Sequence, residues 1–337
     1  MEEKKIRIDA NSGETKLQQL INELVRIIHA ELNEGDLLPS VNEVSKQLVI
    51  SRDTVFKAYR ELKKRGLVDA SPNKGYYVSR EVKKVLMLLD YYSPHKETLF
   101  RQVQKNLDDS YSVDLMFHHY NQRLFDSIIL ENVARYNYYI VMNFDTQNFR
   151  LADFVMKLDP AKLLLLDIPV KDWNGTNPQK YNYIWQDFEQ PVYNILAELH
   201  ERIARYRVFH LVNPVHLQHP AGTVSAFNRF CKDYRIKGNV ISSKPEVKVK
   251  KHEAYFVLRQ PDLQELLEEC RDYNLQVGTD AGILVYNDSP LYEFVSCGIT
   301  VISADFKLMG KKVSQFILTG VPVQGIIPTK NIIRQSL

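Results

Sequence analysis

Cysteine is scarce in this chain, with three among 337 residues, at positions 231, 270 and 297. That wide spacing offers no Cys-x-x-Cys pair and no Cys/His cluster, so neither a zinc site nor a disulfide framework is expected. A reducing cytoplasm fits such usage. No apolar run reaches the roughly 18 residues that a membrane-spanning helix needs. The opening stretch MEEKKIRIDANSGETK is charged and has no apolar core, so no secretory leader is expected. Glycine-rich phosphate loops are missing, and the scattered glycines match no nucleotide fingerprint. Neither a Gly-x-Ser-x-Gly elbow nor a Ser-x-x-Lys motif occurs. His118 and His119 are adjacent, and neighbours on a strand point to opposite faces, so they cannot share a metal. One of the two is expected to be buried and the other to face a pocket or solvent. These absences lead to the expectation of no catalytic residue, no metal and no cofactor. The formal net charge is only +3, which excludes a polybasic coat for nucleic acid.

The charge that is present is uneven. Residues 46–80 hold nine Lys or Arg against three acids, a local excess of +6 that a phosphate backbone would attract. Helical patterns precede and enter this segment. Thr15-Lys-Leu-Gln18 is a capping-box start, and Leu17, Leu20, Ile21, Leu24, Val25, Ile28 and Leu32 keep a 3.6-residue period. Pro39-Ser40-Val-Asn42-Glu43 starts a second helix, with Val41, Val44 and Leu48 facing inward. Ser51 caps a third, whose buried stripe is Val55, Tyr59 and Leu62. Arg52, Asp53 and Thr54 occupy the first turn of that third helix, and Lys57 and Arg60 follow. First-turn residues of a recognition helix reach base edges in the major groove, and Arg52 suits guanine O6 and N7. Leu67–Ala70 and Tyr76–Val78, around Ser71-Pro-Asn-Lys74-Gly75, read as a hairpin that puts Lys74 near phosphates.

Residues 15–79 resemble the GntR family of bacterial transcription regulators. The matching residues are Leu38-Pro39-Ser40, Ser51-Arg52-x-Thr54-Val55, Ala58-Tyr59-x-x-Leu62, Gly66-Leu67-Val68 and Lys74-Gly75-Tyr-Tyr-Val78. Asn42 stands where family members usually carry an Arg, Phe56 replaces a frequent Arg, and Asn73 a frequent Gly. The resemblance implies a winged helix-turn-helix that binds double-stranded operator DNA as half of a homodimer. Ser40, Asn42, Ser51, Arg52, Asp53, Thr54, Lys57, Arg60, Lys74 and Gly75 are the candidate DNA-binding residues.

Beyond residue 82 short apolar runs alternate with helical stretches. The runs are 85–89, 113–117, 139–142, 163–166, 183–185, 208–212, 240–242, 255–258, 283–286 and 300–302. They read as strands of parallel sheets covered on both faces, in a doubly wound α/β architecture. Ligands in such folds bind outside the carboxyl ends of the strands. Polar residues follow many of the runs, among them Asp90, His118, Asn143, Asp145, Asp167, Asp187, Arg259, Asn287 and Asp288. Aromatics are interleaved, including Tyr91, Tyr92, Trp173 and Phe306. Carboxylates and amides beside flat apolar faces suit a polyol. Lys171 and Arg259 are the basic candidates near that pocket.

Gly282-Ile-Leu-Val-Tyr-Asn-Asp-Ser-Pro290 and Gly298-Ile-Thr-Val-Ile-Ser-Ala-Asp-Phe-Lys-Leu-Met-Gly310 look like the C-terminal part of the LacI-type effector domain. That domain is itself similar to the periplasmic sugar-binding proteins. Val285 and Asn287 depart from the family's strand end, whereas Asp288, Thr300, Phe306, Gly310 and the helix Met309–Leu318 match. The resemblance implies a two-lobed domain over residues 81–337, behind a DNA-binding domain over 1–80, and a pocket of Tyr91, Tyr92, His118, Asp167, Asp187, Arg259, Asn287, Asp288 and Phe306. The whole pattern is similar to gut-bacterial regulators of L-fucose or L-arabinose use. It implies a sugar-relieved repressor. A sugar-responsive activator of the same build, and a metabolic α/β enzyme with an accessory DNA-binding domain, are the alternatives.

Overall fold

The computed structural model describes residues 6–9, 12–72, 74–79, 82–142, 158–167, 178–214, 219–242 and 248–337. Asn73, Asn143, Asp145, Lys171 and Trp173 lie outside them. The chain divides into two units, Met1–Lys83 and Lys84–Leu337.

In the first unit, helix α1 (Lys16–Glu31) starts where the Thr15 hydroxyl accepts from the Gln18 N–H. The other half of that capping box does not form, because the Gln18 amide turns to Asn22 instead. Leu20, Ile21, Leu24, Ile27 and Ile28 make its buried stripe. The complete box belongs to α2 (Val41–Leu48): the Ser40 hydroxyl accepts from the Glu43 N–H, and the Glu43 carboxylate accepts from the Ser40 N–H. Helix α3 (Arg52–Lys64) follows after Val49, whose φ of +51° makes the turn. Strands β1 (Val68–Ser71) and β2 (Gly75–Val78) pair antiparallel, from Val68↔Val78 to Ser71↔Gly75. Leu37 adds a rung against Tyr77. Tyr59 locks these parts together, because its ring stacks on Tyr76 at 4.5 Å and its hydroxyl donates to the Pro39 carbonyl at 2.6 Å.

The second unit has two sheets. One runs β13-β7-β6-β5-β3-β4, with β3 (Lys83–Leu89), β4 (Tyr111–Phe117), β5 (Tyr138–Met142), β6 (Leu163–Leu166), β7 (Asn182–Gln186) and β13 (Gln324–Ile327). The other runs β14-β12-β11-β10-β8-β9, with β8 (Val208–Val212), β9 (Gly238–Ile241), β10 (Glu253–Val257), β11 (Ala281–Tyr286), β12 (Thr300–Ala304) and β14 (Thr329–Ile332). Alternation along the strands explains why both faces are covered. Val85, Met87 and Leu89 meet Leu99 and Val103 of α4 (Pro94–Asn106) and Val313 and Phe316 of α10 (Phe306–Thr319). Leu86 and Leu88 meet Phe125 and Ile129 of α5 (Gln122–Asn132) on the other side. In the second lobe Phe209, Leu211 and Phe256 pack under α6 (Gln190–Glu198) and α8 (Ala221–Asp233), while Tyr255, Val257 and Ile283 pack under α9 (Gln260–Asp272). Helix α10 and α4 approach so closely that a Cβ at Gly310 would lie 2.7 Å from that of Gln102.

The last two strands correct the expectation of purely parallel sheets. β13 pairs parallel with β7 in the first lobe, but β14 pairs antiparallel with β12 in the second. Their runs of four residues are mostly exposed or half-buried, with Ile327 alone buried, so neither reads as a buried apolar strand. The chain therefore crosses between lobes three times, after β7, after β12 and between β13 and β14. The crossings are wired together. Asp305 caps α10 by accepting from the Leu308 N–H, donates its own N–H to the Pro328 carbonyl at 3.1 Å, and holds Lys330 at 3.0 Å.

Candidate functional site

The first unit carries exposed charge on α2, α3 and the β1–β2 hairpin. Ser51 serves as N-cap of α3, its hydroxyl accepting from the Thr54 N–H at 3.1 Å and sharing a 2.8 Å hydrogen bond with the Thr54 hydroxyl. That leaves Arg52 and Asp53 exposed in the first turn, at the positive end of the helix dipole. Asp53 is held by Lys57 at 2.7 Å, while Lys63 and Arg65 pair with Asp69 and Glu61. Arg52, Arg60, Lys46 and Lys74 make no side-chain bond among the described residues. With Lys64, five exposed cations are thus uncommitted among the described residues of α2, α3 and the β1–β2 hairpin. Asn42 and Gly75 are also exposed, and Ser40 is bound into its capping box. Phe56 lies on the same exposed side of α3 as Arg52 and Arg60, and its ring is 49% accessible.

The second unit gathers its polar residues at the carboxyl ends of its strands. After β3, Asp90 binds the buried Lys96 amine and accepts from the Tyr120 hydroxyl at 2.7 Å. Lys96 also sits 3.6 Å from the centre of the Tyr91 ring. After β6, Asp167 accepts from the Gln186 amide at 2.9 Å through one oxygen. Its other oxygen is sealed from solvent with no partner among the described residues. Burial pushes the Asp167 carboxyl up to about 6, against the opposing pull of Gln186 and Lys96. From the second lobe, the Tyr286 hydroxyl reaches Gln186 at 3.2 Å, and the Asn287 amide nitrogen lies 3.4 Å from His95 Nε2. The side-chain oxygen of Asn287 is also buried without a partner among the described residues.

Asp167 and Asn287 share a backbone signature, with φ of +55° and +67°. Asp and Asn tolerate this left-handed conformation better than other non-glycine residues, and such outliers gather at functional clefts. An aromatic wall completes the cleft. Phe188 stacks on Tyr286 at 6.1 Å, His219 stands edge-on to Tyr286 at 5.0 Å, and Phe306 lies 4.7 Å from His95. Burial holds the His219 imidazole down at about 3 and pushes His95 well below its ordinary value, so both rings are neutral. The formal charges are then Lys96 and Arg259 against Asp90, Asp167, Asp187 and Asp262, or −2. That balance disfavours a phosphate and favours hydroxyl or ammonium donors.

Of the residues singled out in the sequence, Tyr91, Asp167, Asp187, Asn287 and Phe306 converge here. Asp187 accepts from the N–H of Glu189 at 2.8 Å just before α6, and the Tyr286 phenol is raised by burial first, then by the charges of Asp167 and Asp187. Arg259 is forked onto Asp262 at 2.7 Å and tempers the rise of the Tyr91 phenol. Three residues are placed differently. His118 is fully buried edge-on against Phe125, so it supports the wall from behind rather than lining it. The carboxylate of Asp288 is taken by Arg334, at 3.0 and 3.4 Å, so the neighbouring Asn287 reaches across the cleft in its place. The Tyr92 hydroxyl is bound to Glu97 and its ring is exposed. Lys96, His95, Gln186 and His219 were not singled out, because nothing in a linear reading separates them from surface residues of helices and turns.

Residues 16–78 match the model of bacterial regulatory proteins of the gntR family, and residues 201–337 that of the periplasmic binding protein-like domain. The HTH-type transcriptional repressor YtrA of Bacillus subtilis is 31% identical over 83 residues, 24% of this chain and 64% of that one. The HTH-type transcriptional regulator Rv1152 of Mycobacterium tuberculosis is 32% identical over 76 residues, 22% of this chain and 63% of that one. The chain thus spans less than two thirds of the length of these relatives. Among solved structures, the trehalose repressor of Escherichia coli is similar over 74% of this chain and 100% of its own, with a TM-score of 0.60 and 12% identity. A LacI family transcriptional regulator from Lactobacillus casei with bound glucose is similar over 76% and 100%, with a TM-score of 0.60 and 14% identity. The first unit is thus similar to the gntR-type domain, and the second has a two-lobed fold similar to that of the periplasmic binding protein-like domain.

Proposed function

We infer that this chain is a cytoplasmic transcription regulator, a homodimer that represses carbohydrate-use genes and is relieved by a small neutral sugar. Residues 1–80 are the operator-binding domain in this reading, and 81–337 the sensing and dimerising domain. The observation that carries the sugar reading is a pair of buried oxygens, one each on Asp167 and Asn287, that have no partner among the described residues and are set between aromatic faces in a cleft of net negative charge. Two hydroxyls of a pentose or a 6-deoxyhexose, such as L-arabinose or L-fucose, would satisfy them, and the charge balance turns a phosphorylated sugar away. The uncommitted cations Arg52, Arg60, Lys46, Lys64 and Lys74 support the operator reading. Leu291 and Phe294, 65% and 79% exposed on one short turn, support a self-association surface.

A thermal-shift screen of pentoses, 6-deoxyhexoses and their epimers tests the cleft. One sugar should raise the midpoint while its epimers leave it unchanged. A flat panel would sink the sugar reading. Deleting the gene should raise expression of its targets, and a fall instead would make the protein an activator.

A further inference from the structure

At the opposite end of the second lobe, where its strands begin, lies an open pocket of about 790 Å³. Arg202, Arg205 and Arg334 line it, with Glu293 as the one acidic side chain, so the lining side chains sum to two positive charges. Its sign is the reverse of the cleft's. Much of its donor capacity is unspent among the described residues. Arg202 gives one N–H to the main-chain oxygen of Leu337 at 3.1 Å, and Arg205 gives its Nε–H to the Arg202 carbonyl at 3.3 Å. Each guanidinium has five N–H donors in a planar fork that matches the oxygens of phosphate and carboxylate.

The wall is rigid. Gly278 has a φ of +87°, and a Cβ there would lie 2.0 Å from the Gln335 carbonyl oxygen, so only glycine lets the segment around 335 close the pocket. Arg334 is the third cation, and it is shared. It donates to the Ile299 carbonyl at 2.6 Å and to Asp288 at 3.0 Å. Asp288 follows Asn287, whose amide lies 3.4 Å from His95 across the cleft.

We propose that this pocket is a second ligand site, taking a small dianion, a phosphate monoester or a dicarboxylate, in the forks of Arg202 and Arg205. Occupancy draws Arg334 away from Asp288 and so bears on the Asn287 contact that bridges the lobes. The proposal is independent of the sugar reading. Inorganic phosphate, titrated calorimetrically into the full chain, should give saturable heat that potassium chloride of equal ionic strength does not. Arg205→Gln, at an exposed residue with only a main-chain contact, should weaken that binding about tenfold, the worth of a charged hydrogen bond. Arg202→Gln should do the same or more. Glycerol 3-phosphate and succinate, compared in the same titration, decide which class binds tighter. Hydrogen exchange at residues 286–289 should change on phosphate addition. Heat equal to chloride's, or phosphate binding that both variants leave intact, would overturn the site. Binding with unaltered exchange at 286–289 would overturn the link to the cleft.

Discussion

The charged face of the first unit and the cleft of the second use similar side chains in opposite ways. On α2, α3 and the hairpin the cations stand in water and several have no partner in the described residues. In the cleft most charge is spent internally: Lys96 on Asp90, Arg259 on Asp262, and one oxygen of Asp167 on Gln186. What the cleft offers a ligand is a few unpaired acceptors. The difference teaches what each surface recognises. Exposed free charge acts at long range and weakens with salt, as suits a phosphate backbone. Buried paired charge costs too much desolvation to be re-paired, so recognition there falls to directional hydrogen bonds and flat rings.

If this contrast is right, cleft substitutions disturb folding and face substitutions disturb binding. The largest effect is expected from Lys96→Met, which leaves Asp90 buried without its cation. Breaking a buried pair in this way costs about 3–5 kcal/mol, and urea unfolding should show it. A loss below 1 kcal/mol would mean the pair is solvated.

Asp167 gives the next effect. Its native carboxyl holds a proton more tightly than the unfolded chain's, about 6 against an ordinary 3.8. The native state is therefore relatively favoured at acid pH and loses that advantage as pH rises from about 4 to about 6. The wild type should lose on the order of 2 kcal/mol across that window relative to Asp167→Asn. Parallel stability–pH curves for the two proteins would contradict the burial argument.

Arg52→Ala should cost about 1–3 kcal/mol of affinity for a duplex selected from a random library, and blur one base position. Its unfolding midpoint should stay within about 0.5 kcal/mol of wild type, as for an exposed residue. A destabilised but still binding variant would reverse the contrast. The smallest change belongs to Asp53→Asn. It frees Lys57 from a surface pair worth about 0–1 kcal/mol, so stability should hardly move while duplex affinity rises slightly. Anisotropy titrations at two salt concentrations would detect either sign.

The contrast also marks how much could be read from the chain. Local rules alone determined the helix starts at Ser40 and Ser51, the hairpin around Lys74, and the short apolar runs that became strands β3 to β12. Capping, turn chemistry and apolar periodicity act between residues a few positions apart, so they are legible in one dimension. They also located the polar residues at strand ends, Asp167 and Asn287 among them. Only the tertiary structure decided which of these form a site. Lys96 became a cleft residue because α4 carries it under Asp90. Asp288 was lost to Arg334, 46 residues away. β14 turned antiparallel because the third crossing returns the chain to the second lobe. Burial and pairing between distant segments set charge, protonation and access, and no spacing in the sequence encodes them.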